Sequence, residues 1–306
     1  MGTRYSAVFF APAGIDLGAI GAALFAGVDR VDCQMSTWKA DSDLSRLNAA
    51  PLQQWQPVPP QLWTVLDAAL RVGRESGGAF DIGVGDVVNA WGFGSAAPQP
   101  NAQQIRALGQ RSHRPASDLL EMDAAQQRVR KQGALALDLS GIAKGYGVDA
   151  LAHCLDGFGV RHYLVGIDGE MRAKGSKPGG QAWAVAIEKP LRHLRDVMGV
   201  MELADAAIAT SGDYRHWFEL AGQHYAHTIH PASGRPLDNR LASVTVVMPS
   251  CMLADAWATA LLVLGAPAAT ELAQQRGMTA LLVLRNLSDA GDAFEQISLV
   301  DGVLQP

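Results

Sequence analysis

One stretch near the C-terminus narrows the folds open to this chain more than any other. Met252-Leu-Ala-Asp-Ala-Trp-Ala-Thr-Ala-Leu-Leu-Val-Leu264 has helical character, follows a capping Ser250 and stops at Gly265 before Pro267. It is apolar nearly all round, and a helix of that kind must be buried rather than lie on a surface. Asp255 sits inside it. A lone buried carboxylate is costly unless it is paired or bound to a metal. Thr259, four residues on, stacks above Asp255 on the same helix face. One carboxylate and one hydroxyl are hard oxygen ligands, suited to Mg²⁺ held jointly with backbone carbonyls, water and a phosphate. Alternatively, Asp255 pairs with a buried Lys or Arg, or caps another loop.

Burying such a helix needs sheet, and the chain supplies it. Tyr5 to Phe10 reads as a strand, Leu17 to Met35 and Leu62 to Gly73 as helices, and Asn101 as the N-cap of a short helix. Leu119 to Leu137 alternates as β. Beyond residue 160 the pattern is mostly β: Tyr163–Ile167, Met171–Lys174, Ala182–Ile187, Val197–Leu203, Val244–Met248, Leu281–Leu284 and Ile297–Val300. A hairpin is expected from His216–Leu220 and His224–Ile229 around Ala221-Gly222, a tight turn over Ala206–Gly212, and a helix over Ala268–Arg276. Neither an internal repeat nor a linker is evident. The expected class is α+β, with mixed, largely antiparallel sheets and packed helices. It forms one domain over residues 1–306, with room for two lobes and a site between them.

Composition removes several functions. With 48% hydrophobic and 18% charged residues the chain is an ordinary soluble globular sequence with ample core. A net charge of −5 argues against general nucleic-acid binding. Cys33, Cys154 and Cys251 are far apart, lack metal-type spacing and read as buried small apolar residues. No apolar run is long enough to form a transmembrane segment. No basic-then-apolar leader opens the chain, which points to a cytoplasmic protein or to a mature, processed form. Ser36 and Lys39 match Ser-x-x-Lys, but the partner motifs of that acyl-enzyme class are absent.

Two further segments carry chemistry. The alternating run Ala134–Leu137 leads into Asp138-Leu-Ser-Gly-Ile-Ala-Lys-Gly-Tyr-Gly-Val-Asp149, which passes into a helical pattern over Val148–Leu155. A strand turning through glycines into a helix presents unpaired N–H groups and a positive dipole end, and Lys144 adds a mobile cation. Such a turn suits a phosphate-bearing ligand, or it is an ordinary strand–turn–helix corner. His227 lies at the end of a hairpin strand, before the turn His230-Pro-Ala-Ser-Gly234. It is placed to act as a general base or to serve a structural role. Trp38 could stack on a planar ring or fill core.

Together these segments resemble the FAD:protein FMN transferase family, also called the ApbE family of flavin transferases. The matching pieces are Met1-Gly-Thr3, Met35-Ser-Thr-Trp38 with Asp41-Ser-Asp-Leu-Ser-Arg-Leu-Asn48, Gly78-Ala-Phe-Asp81, Trp91-Gly-Phe-Gly94 and Asp138–Asp149. They continue with Gly166-Ile-Asp-Gly-Glu170, Ala209-Thr-Ser-Gly212, His227–Gly234 and Asp255-Ala-Trp-Ala-Thr259. They occur in the family's order and cover nearly the whole chain. Two positions depart from it. His230 stands where the family usually has Asp, and Asp168-Gly-Glu170 replaces the usual Gly-Gly-Glu.

The resemblance implies an enzyme that uses FAD as substrate. It would need Mg²⁺, move the FMN half onto a Ser or Thr hydroxyl of an acceptor protein of a redox chain, and release AMP. An FAD pyrophosphatase giving FMN and AMP, or a non-catalytic flavin carrier or assembly protein, would use the same ligand. Met1, Trp38, Ala79, Phe80 and Asp81 would contact the flavin half; Asp138, Lys144 and the backbone near Ile229 would hold the rest of FAD. Mg²⁺ would take the Gly141 carbonyl, Asp255 and Thr259, with Ala258 nearby. Lys144 would act on the diphosphate electrostatically and His227 as base. Family habit implies a periplasmic or inner-membrane-attached protein if a leader has been removed, and otherwise a cytoplasmic one.

Overall fold

A computed structural model describes residues 2–95, 99–215, 217–220, 223–286 and 293–305. In chain order it contains β1 (Tyr5–Phe9), α1 (Leu17–Met35), α2 (Asp43–Ala49), β2 (Gln56–Pro57), α3 (Pro60–Glu75), a 3₁₀ turn (Ile82–Val84) and α4 (Gly85–Ala90). Next come α5 (Ala102–Gly109), α6 (Ala116–Leu119), β3 (Leu120–Asp123), β4 (Arg128–Lys131), α7 (Ala143–Gly157), β5 (Tyr163–Ile167), β6 (Glu170–Lys174), β7 (Trp183–Glu188) and β8 (Val197–Leu203). The chain continues through β9 (Ala207–Gly212), β10 (Trp217–Leu220), β11 (Gln223–Ala226), β12 (Ile229–His230), β13 (Arg235–Pro236) and β14 (Leu241–Met248). It closes with α8 (Cys251–Leu264), α9 (Ala266–Gln275), β15 (Thr279–Arg285), β16 (Phe294–Val300) and β17 (Val303–Leu304). Among the described residues every strand pairing is antiparallel. None of their helices is long and apolar enough to cross a membrane.

The chain forms two compact units. Unit 1 comprises residues 1–30, 144–215 and 239–306; unit 2 comprises 31–143 and 216–238. Unit 1 is built on an eight-stranded sheet of order β1-β5-β6-β9-β14-β15-β16-β17. Strand alternation divides its side chains between two cores. Tyr163, Val165 and Ile167 of β5, with Ala207 of β9, pack against Ile20 and Leu24 of α1 and Val148, Leu151 and Leu155 of α7. Leu164 and Ile208 belong to the second core, with Trp183, Val185 and Ile187 of the β7–β8 ribbon. The apolar helix α8 packs on β9 and β14, capped by Ser250 and ended by Gly265 at φ 75°. Burial of nearly its whole circumference explains why so few polar residues occur along it.

Unit 2 has a three-stranded sheet, β2-β4-β3, with α2–α6 and the hairpins β10–β11 and β12–β13. Pro60 starts α3 where a missing N–H is harmless, and Leu62, Val65, Leu66, Ala69 and Val72 form its buried stripe.

Several expectations are corrected. Ala206–Gly212 is no turn: β9 is an interior strand, and its small residues allow α8 to sit close. Ala134–Leu137 joins no ladder. The Asn48 side chain replaces a neighbouring strand there, donating to the Leu137 carbonyl at 2.9 Å and accepting from its N–H at 2.8 Å. The glycines after Lys144 are helical, since α7 begins at Ala143. Cys251 is buried and Cys154 partly so, but Cys33 is exposed beside Lys39. The expected hairpin forms as β10–β11, its turn residues 221–222 lying outside the described residues.

Candidate active site

Unit 1 gathers acidic side chains around one lysine. Lys144, in the first turn of α7, donates to Glu170 Oε1 at 2.6 Å and lies 3.8 Å from Asp168 Oδ2. Asp255 projects from α8 and accepts the Gly145 N–H on Oδ2 at 3.0 Å. This approach requires glycine: a Cβ on Gly145 would lie 2.3 Å from the Cys251 carbonyl oxygen and 2.8 Å from Asp255 Cβ. Thr259, one turn beyond Asp255, shares a 2.9 Å hydrogen bond with Ser211 of β9. Ala258 beside it is fully buried.

The electrostatics are unbalanced. Asp255 is 4% exposed and Glu170 2% exposed. Burial, and then the charge of Glu170, push the Asp255 carboxyl up from the usual carboxylate range, while Lys144 and the Gly145 N–H oppose them. Glu170 Oε2 is buried and has no hydrogen-bond partner. The acidic groups outnumber the one ammonium, and a cation beside them would relieve their repulsion. Among the described residues no three His, Cys, Asp or Glu side chains group as a metal site. A cation there would therefore complete its shell from hydroxyl, backbone carbonyl, water and ligand phosphate oxygens. That donor set is the one Mg²⁺ accepts.

Asp168 adopts φ 55° in the β5–β6 turn, a left-handed conformation that glycine takes most readily. The turn thus carries a carboxylate near Lys144.

Unit 2 holds the other sequence candidates. A cleft of about 350 Å³ is lined by Thr37, Ser45, Asn48, Gly85, Asn89 and Asp138. Asp138 donates its N–H to the Ile82 carbonyl, and its carboxylate accepts from Ser140 N at 2.7 Å. Gly141 lies in the turn ahead of α7. Trp38 is 74% exposed, so it is not core. Ala79 and Phe80 are buried. Asp81 caps the 3₁₀ turn, accepting from Gly83 N at 2.8 Å and Ala116 N at 3.1 Å, with His113 at 3.0 Å from its other oxygen. Its Oδ1 is thus engaged by the fold. His227 is half-buried between β11 and β12, edge-on to Phe93 with ring centroids 6.4 Å apart. Ile229 is buried in β12, and its neighbour His230 faces Arg235 across the strand pair. Met1 lies outside the described residues.

Comparison with known proteins places the chain in a family. The model of the ApbE family matches residues 1–282. The chain belongs to the ApbE family. It is 38% identical over 290 residues to an FAD:protein FMN transferase of Vibrio cholerae, covering 93% of this chain and 85% of that protein. With the Escherichia coli K12 protein of the same name it shares 35% identity over 272 residues, 88% of this chain and 76% of the relative. The solved flavin transferase ApbE of Vibrio cholerae superposes with a TM-score of 0.87 at 36% identity, covering 99% of this chain and 95% of that one. The apo flavinyl transferase ApbE of Pseudomonas stutzeri gives 0.85 at 35% identity, with 99% and 95% covered. The α+β, antiparallel architecture is that of the family.

Sequence reasoning assigned no role to Glu170 or Asn48. Glu170 was visible as an acid flanking an apolar strand. Nothing in the one-dimensional pattern marked it as the partner of Lys144.

Proposed function

We propose that this chain is a Mg²⁺-dependent transferase that moves the FMN half of FAD onto a Ser or Thr hydroxyl of an acceptor protein and releases AMP. The observation that supports this is the pair of buried carboxylates Asp255 and Glu170 beside Lys144, in a chain whose curated relatives are named FAD:protein FMN transferase. A flavin carrier has no need of such a set.

Asp255, Thr259 and the Gly141 carbonyl would hold Mg²⁺, with Ala258 beside them. When bound, the ion supplies charge neutralisation for the diphosphate. Lys144 adds positive charge on the same group. Trp38 stacks on the flavin ring, with Met1 and the Ala79–Asp81 segment against the same half. Asp138 and the backbone near Ile229 hold the remainder. His227 takes the proton from the acceptor hydroxyl. The hydroxyl oxygen then bonds to the phosphorus of the FMN half, the bond from that phosphorus to the bridging oxygen breaks, and AMP leaves with the electron pair. An electron-carrying subunit of a redox chain is the acceptor class that fits a covalent flavin.

One incubation tests this. The protein is mixed with FAD, Mg²⁺ and a peptide bearing a threonine acceptor, and peptide mass and AMP are followed. One FMN added per AMP released is the expected result. AMP with free FMN and unmodified peptide would make the enzyme a pyrophosphatase; no AMP would leave only binding.

A further inference from the structure

Asp149, which closes the glycine-rich segment, has no part in the chemistry above, yet it is 6% exposed and accepts from four donors. Arg172 of β6 pairs with its Oδ1 at 2.5 Å. Ser250 Oγ donates to Oδ2 at 2.8 Å, Cys251 N to Oδ1 at 3.1 Å and Met252 N to Oδ2 at 3.0 Å. The first N–H groups of α8, which a helix cannot satisfy internally, are thus capped by a side chain of another helix. The remaining local cap, Ser250 to Leu253 N, is long at 3.4 Å.

The placement of these bonds repeats that of the acidic set. Along α7, Gly145 and Asp149 are one turn apart; along α8, so are Asp255 and Cys251. Gly145 bonds Asp255 and Asp149 bonds Cys251, so the two helices are tied at successive turns in antiparallel sense. On β6, Glu170 and Arg172 share a face two residues apart. The first reaches Lys144 and the second Asp149. The three elements that carry Lys144, Asp255 and Glu170 therefore meet again one level away, at a single carboxylate.

We propose that Asp149 is a positioning residue that holds α7, α8 and β6 in the register that makes the Asp255–Glu170–Lys144 set a cation site. This rests on the functional reading above, and concerns the geometry of that site rather than its ligands. Removing an outer partner that hydrogen-bonds a ligand directly weakens metal affinity by about 10–100-fold; Asp149 acts one step further out, through α7, α8 and β6, which places its effect at the low end of that range.

The test uses Mn²⁺ as probe, titrated by electron paramagnetic resonance into the full-length protein, together with the Mg²⁺ dependence of turnover and thermal unfolding. Asp149→Asn is expected to raise the Mn²⁺ dissociation constant by about tenfold. It should shift the Mg²⁺ needed for half-maximal turnover in parallel, with the rate recovering at saturating Mg²⁺. Arg172→Gln and Ser250→Ala each remove one bond and give smaller shifts of the same sign, which serves if Asp149→Asn does not fold. Folded variants with wild-type Mn²⁺ affinity and Mg²⁺ requirement, even at lowered melting temperature, would reduce Asp149 to a helix cap and overturn the proposal. Failure of the wild-type protein to bind Mn²⁺ would instead overturn the cation site itself, and the proposal with it.

Discussion

Gly145 donates its backbone N–H to the Asp255 carboxylate at 3.0 Å, across a helix contact with no room for a methyl group. The bond links the lysine-bearing helix to the candidate ligand.

Gly145→Ala should therefore be costly although it adds one carbon. Overpacking of this kind destabilises by about 1–3 kcal/mol. Urea unfolding measures that loss, and Mg²⁺-dependent AMP release should fall with it. A variant as stable and active as the wild type would contradict the close approach.

Adding Mg²⁺ should stabilise the protein, because an ion that binds only the folded state shifts unfolding by mass action, by about 2.7 kcal/mol at a hundredfold excess over its dissociation constant. Asp255→Asn should abolish that thermal shift and Mg²⁺-dependent turnover while leaving flavin affinity largely in place. AMP release unchanged in Asp255→Asn would remove Asp255 from the metal site.

Trp38→Ala separates ligand binding from folding. The ring is mostly exposed, so stability should change by no more than about 0.5 kcal/mol. Loss of stacking should weaken flavin binding by about 0.5–1.5 kcal/mol, read by fluorescence titration. A large drop in melting temperature would point to a structural tryptophan.

Asn48→Ala should do both kinds of damage. The Leu137 N–H and carbonyl would both lose the Asn48 amide that serves them in the extended segment leading to Asp138, at a cost of about 1–3 kcal/mol. The cleft in unit 2 that Asn48 and Asp138 line would change shape, so FAD affinity should fall as well. Calorimetric unfolding and FAD titration of one sample would show the two effects together or refute the link.

His227→Ala should reduce turnover by about a hundredfold or more with FAD binding little changed, as expected for loss of a general base. Equal losses in both would leave the imidazole a packing role against Phe93.

Much of the fold was legible because local chemistry and packing agree. α8 has the expected cap at Ser250 and stop at Gly265, and α1 spans the expected Leu17–Met35. What was not legible depended on distant partners. The segment Ala207–Gly212 has turn-like composition, and only flanking strands on both sides make it a strand. The run before Asp138 alternates like a strand, but a side-chain amide from residue 48 occupies its hydrogen-bonding groups. At the site, Asp255 announced itself as a charge in an apolar helix. Glu170 and Asp149 did not, because their significance lies in contacts with residues 26 and 101 to 103 positions away.

The sheet of unit 1 has a temporal side. β1 pairs Tyr5 with Ile167, so during synthesis β1 must wait for the whole of 31–143 before its neighbour exists. β9 waits in turn for β14 and α8, which follow the second insertion at 216–238. Until then the nascent chain carries an unpaired strand edge and an uncovered apolar face, the features that invite mispairing. The same chain order predicts that loss of the segment from residue 239 onward is worse than a shortened tail. It would leave β9 without its partner β14 and without the helix α8 that packs on it.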